Sequence, residues 1–86
     1  MKLSYIQDPG HGWLEVPAKM LAELGIELKI TSYSYRKGTM VYLEEDLDMH
    51  TFMQACYADK ILVELDEVYQ EHTPIRGYDQ YFALAA

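Results

Sequence analysis

Eighty-six residues, half of them hydrophobic and eight of them tyrosine, make one folded domain rather than a disordered or two-domain chain. A chain of this size buries roughly 60–65% of the surface its unfolded form would expose, enough for one core and little more. The single cysteine, Cys56, excludes an intrachain disulfide and suits a reducing compartment.

Formal net charge is −7, and it is unevenly placed. Residues 1–43 hold five Lys/Arg against four Asp/Glu, whereas residues 44–86 hold two against ten. Direct binding of nucleic acid through the second half is therefore disfavoured, because phosphates need cations to replace their counterions. A basic surface on a protein partner is the favoured counterpart. No apolar run approaches the ~18 residues of a membrane helix, and Met1 to Tyr5 offers no apolar signal core, so a cytoplasmic protein is expected.

In chain order, Lys2 to Gln7 alternates as a strand does, Asp8 to Gly12 is dense in turn formers, and Trp13 to Val16 resumes an apolar strand. Pro17 opens a short helix that Gly25 stops. Leu28 to Tyr35 is expected as a strand with Tyr33 and Tyr35 on one face. Arg36, Lys37 and Gly38 then turn it into a strand from Thr39 to Glu44.

The clearest helix follows, with Met49, Phe52, Met53, Cys56 and Tyr57 as one apolar stripe and Asp46 or Asp48 at its N-terminus. Ile61 to Tyr69 alternates again, with Ile61, Val63 and Leu65 inward and Glu64 and Asp66 outward. Residues 73–86 read as a loosely docked tail or a short helix from Tyr78. The expectation is α+β in the order ββαββαβ. About five antiparallel strands would carry two helices on one face within a single domain spanning 1–86. A self-pairing edge strand would allow a homodimer.

The acids Glu44, Glu45, Asp46, Asp48, Glu64, Asp66 and Glu67 are the first candidates for a partner-binding face. Glu64 and Asp66 would stand roughly 6–7 Å apart on one strand face, close to phosphate spacing. Glu44 to Asp46 would extend them if the two strands were neighbours. An aromatic face of Trp13, Tyr33, Tyr35 and Arg36, with Lys37, is the alternative, suited to an interface or to stacking bases. Asp8, His11 and His50 are the centre of a small-enzyme or metal-protein reading, and they lack a sequence-adjacent nucleophile. The acidic run at 44–48 lacks the glycine and distal glutamate of a calcium loop. Cys56 on the apolar stripe reads as a buried thiol, and no cofactor or metal is called for.

The segments YIQDPGHGWLEVP (Tyr5 to Pro17), SYSY (Ser32 to Tyr35), VYLEED (Val41 to Asp46) and EVYQEHTPIR (Glu67 to Arg76) resemble a group of short hypothetical proteins of bacteriophages and mobile elements. That resemblance carries no catalytic signature. It implies a non-enzymatic interaction protein acting in a bacterial host. Such a protein would inhibit a defence or nucleic-acid-handling complex, in the manner of anti-CRISPR proteins or DNA mimics.

Overall fold

The computed structural model describes residues 1–83. Its strands are β1 (Lys2–Gln7), β2 (Gly12–Pro17), β3 (Tyr35–Lys37), β4 (Met40–Glu44), β5 (Glu64–Tyr69) and β6 (Asp79–Gln80). The helices are α1 (Ala18–Glu23) and α2 (Asp48–Ala58). The fold is α+β: six strands form one open sheet in the order β5-β1-β2-β4-β3-β6.

One pairing departs from the expected antiparallel pattern. β5 runs parallel to β1, with Leu3 opposite Leu65 and Tyr5 opposite Glu67. The reason lies in α2, which carries the chain back to the end of the sheet where β4 began. A strand that follows such a crossover runs in the same direction as the strand before it.

Both helices cover one face. Leu14 and Val16 of β2, Val41 and Leu43 of β4, Met20 and Leu21 of α1, and Phe52 and Cys56 of α2 form one core there. Within the α2 stripe, Phe52 and Cys56 are fully buried and Met49 and Met53 pack at the margin. Tyr57, expected inward, is 86% exposed, because it stands on a flank of α2 that no described residue covers. Burial pushes the Cys56 thiol pKa up, as befits a packed rather than reactive cysteine.

The reverse face is covered by the chain itself. Residues 70–78, here called the strap, leave β5 at one edge, cross behind the sheet and deliver β6 to β3 near the other edge. Ile75, in a short 3-10 turn at Pro74–Gly77, plugs between Trp13 and Tyr42. Thr73 begins that turn by accepting the Ile75 N–H. Tyr81 is buried in the helix-side core and its hydroxyl donates to the Glu27 carbonyl at 2.7 Å. The C-terminal segment is thus docked and extended through Tyr81, not helical from Tyr78; positions 84–86 of the expected tail lie outside the described residues.

The expected strand at Leu28 to Tyr35 shrinks to Tyr35–Lys37, preceded by a 3-10 turn at Glu27–Lys29. A buried carboxylate explains the loss. Asp48 is fully buried and accepts the Thr31 N–H, the Thr31 hydroxyl and the Ser34 hydroxyl, the last at 2.5 Å. These bonds fold residues 31–34 into a turn, in competition with a ladder. The β3–β4 hairpin then closes through Gly38 and Thr39, with Gly38 at φ 59°.

Candidate functional site

Two sets of candidate residues, the acids and the aromatics, meet in one cleft on the reverse side of the sheet. It is lined by His11, Trp13, Tyr33, Tyr35, Glu44, Asp46, Leu47 and Arg76 and encloses about 380 Å³. Each wall comes from a different element. Trp13 projects from β2 and Tyr35 from β3, with ring centroids 6.4 Å apart in an edge-on arrangement. Tyr33 stands on the turn that Asp48 organises and is 74% exposed. Trp13, expected on an open face, is only 3% exposed, because Ile75 and Arg76 of the strap cover it.

The Asp8–Gly12 turn builds the opposite wall. Asp8 accepts the Gly10 and His11 N–H groups at 2.9 and 2.7 Å, a side-chain-closed turn. The same carboxylate holds Arg76 through Nε at 2.9 Å. This bond and the turn N–H groups bring the Asp8 pKa down to about 2. Arg76 is thereby placed over the Trp13 ring, 5.4 Å from its centroid, while His11 lies 6.0 Å from the same ring. Asp8 therefore orients a guanidinium and not an imidazole. His50 lines a different groove on α2, so the residues that suggested acid–base chemistry do not converge. Among the described residues, no three His, Cys, Asp or Glu side chains are grouped to hold a metal ion.

The acids fall into three states. Asp48 is buried and cannot meet a partner. Glu44 caps α2, a role expected of Asp46 or Asp48: its carboxylate accepts the N–H groups of Asp46, Leu47 and Asp48 at 2.9, 2.6 and 2.8 Å. Glu45 accepts the Tyr5 hydroxyl at 2.8 Å. Burial and that bond push the Tyr5 pKa up to about 12. Asp46, Glu64, Asp66 and Glu67 remain exposed.

No single acidic face results. β4 lies three strands from β5, roughly 14 Å at normal strand spacing, so Glu44 to Asp46 do not extend Glu64 and Asp66. Glu67 stands on the opposite side of β5 from them, opposite Tyr5. Arg36 also leaves the expected aromatic face. It sits opposite Val41 on the helix side, and its Nε donates to the Gly38 carbonyl. Lys37 lies over the Tyr78 ring at 4.8 Å.

Arg76 and Leu47 are the lining residues that the sequence did not mark. Arg76 reaches Asp8 across 68 positions, and no local pattern signals such a pair. No family model, curated protein or solved structure matches the chain. No helix among the described residues is long and apolar enough to cross a membrane.

Proposed function

We propose that this protein is a non-enzymatic binding module that takes a cationic side chain of a partner protein, arginine or lysine, into the cleft between Tyr33, Tyr35 and Asp46. The observation that carries this reading is the meeting of aromatic walls with carboxylates in one concavity. Ring faces attract cations, and their attraction grows as water is excluded. Asp46 brings an exposed carboxylate to the rim, and Glu44 adds its charge from behind. Arg76 does not cancel this field, because Asp8 already neutralises it. Arg76 already occupies the Trp13 ring, so Tyr33 and Tyr35 offer the cation-facing surface.

In this reading the acidic second half steers a basic partner toward the protein, and the cleft holds one of its side chains. Capture of a side chain explains more of the acids than phosphate mimicry does, since Glu44, Glu45 and Asp48 are committed inside the molecule. In the setting implied by the phage resemblance, the partner is a host nucleic-acid-handling protein, and occupying its basic groove would inhibit it.

Calorimetric titration with a short Arg-rich peptide tests the reading. Asp46→Asn and Tyr33→Ala, both at exposed positions, are each expected to weaken binding by about 0.5–2 kcal/mol. The peptide affinity should also fall with added salt. Unchanged affinity in both variants, or preference for an oligonucleotide over the peptide, would overturn it.

A further inference from the structure

We infer that the outer edge of β5 is a strand-addition site for a basic, extended segment of a partner protein. This edge lies away from the cleft, and the inference stands whether or not the cleft binds a cation. Among the described residues β5 pairs only with β1. Glu64 N–H donates to the Met1 carbonyl at 2.7 Å and Gln70 N–H to the Gln7 carbonyl at 2.8 Å. Alternation along a parallel ladder then sends the backbone groups of Leu65, Glu67 and Tyr69 outward, where a further strand would find them. β5 is six residues long, whereas β6 at the other edge has two and offers a much shorter row of backbone groups.

Charge decides the occupant. A second copy paired edge to edge would set Glu64, Asp66 and Glu67 against like charges, which destabilises a strand pair. A basic strand meets them favourably. On the inner side of β5, Lys2 of β1 already stands opposite Glu64, so one cation in this register is part of the fold.

The side chains also set a pattern. Glu64 and Asp66 project to the reverse side with Lys2 and Ser4, whereas Leu65 projects to the helix side with Leu3. The segment that leads into β5 lines an apolar groove of about 600 Å³ against α2, with Met53, Tyr57, Ile61 and Leu62 among its walls. Tyr57 and Leu62 are each 86% exposed there. An added strand would therefore alternate, with cations beside Glu64 and Asp66 and an apolar residue beside Leu65. Backbone bonds of this kind give affinity, and the alternating positions give specificity.

Hydrogen exchange followed by NMR, with a short peptide alternating Lys and Val as the probe, tests this. The amides of Leu65, Glu67 and Tyr69 are expected to gain protection on binding. The double variant Glu64→Lys/Asp66→Lys should bind about 10-fold more weakly or worse, as loss of two complementary charges implies. Asp46→Asn, which alters the cleft, should leave these protections intact. Leu65→Pro removes an outward N–H without touching the β1 ladder and should abolish binding; Glu67→Pro serves the same purpose if the first variant does not fold. Absence of protection at saturating peptide, equal binding of a Ser-for-Lys peptide, or a dimer of the protein formed through β5 would each overturn the inference.

Discussion

The two faces of the sheet are made by the same strands yet are closed in different ways. Under the helices, Leu14, Val16, Val41, Leu43, Leu21 and Phe52 interlock in a continuous apolar core. On the reverse side, among the described residues, Trp13, Tyr42 and Ile75 are buried together, and polar contacts add to the closing: Asp8 to Arg76 and Arg76 over Trp13. A helix pair supplies side chains in bulk, and the groove on that side is lined by α2 and residues 61–63, not by the strands. A single extended strap supplies one plug, Ile75, and leaves a cleft beside it. The face with the weaker closure is the one that carries the candidate site, as expected where binding groups must stay accessible.

Substitutions on the helix side should be the most damaging. Phe52→Ala removes a fully buried ring from the centre of the core and should cost about 3–5 kcal/mol, read as a lowered urea midpoint. Retention of normal stability would show that the core lies elsewhere.

Asp48→Ala is next. It leaves the Thr31 and Ser34 donors without their acceptor and should cost on the order of 3 kcal/mol. Because Asp48 shapes the turn that carries Tyr33, the variant should also lose peptide binding in the cleft. An Asp48→Ala protein with normal melting and normal binding would detach the buried carboxylate from the site.

Ile75→Ala acts on the strap. Relaxation next to an open cleft should hold its cost to about 2 kcal/mol, the low end for such a truncation. Trp13 fluorescence should move toward that of a hydrated indole. A loss as large as that of Phe52→Ala would mean that the two faces are equally well packed.

The smallest effects are in pH, and they fall on opposite faces. Asp8 titrates at about 2 instead of 3.8. Its contribution is therefore full above pH ~4 and is lost as pH falls toward 2, which should release Arg76 from Trp13. Tyr5 titrates at about 12 instead of 10.0. Its contribution is full below pH ~10 and is lost as pH rises through 12, which should loosen the Glu45 contact on the helix side. Trp13 fluorescence follows the first and tyrosinate absorbance the second. Arg76→Gln should abolish the acid change in fluorescence and leave the alkaline one unaltered.

Elements with a local cause are legible in the amino-acid sequence. Met49, Phe52, Met53 and Cys56 recur at helical spacing, so α2 and its core face are legible without any neighbour. Gly25 and Gly38, at φ 71° and 59°, stop α1 and turn the β3–β4 hairpin because a residue without Cβ adopts that backbone cheaply. The α+β class follows from these local elements. The parallel seat of β5, the course of the strap, the burial of Asp48 and the cleft itself arise only when the chain folds. Each depends on partners far apart in the chain, such as Asp8 and Arg76 or Thr31 and Asp48, and periodicity records only what lies within a few residues. An acid on a turn and an acid in a core look alike in sequence. Glu44, Asp46 and Asp48 became a cap, a rim and a buried anchor through the donors that folding brought to each.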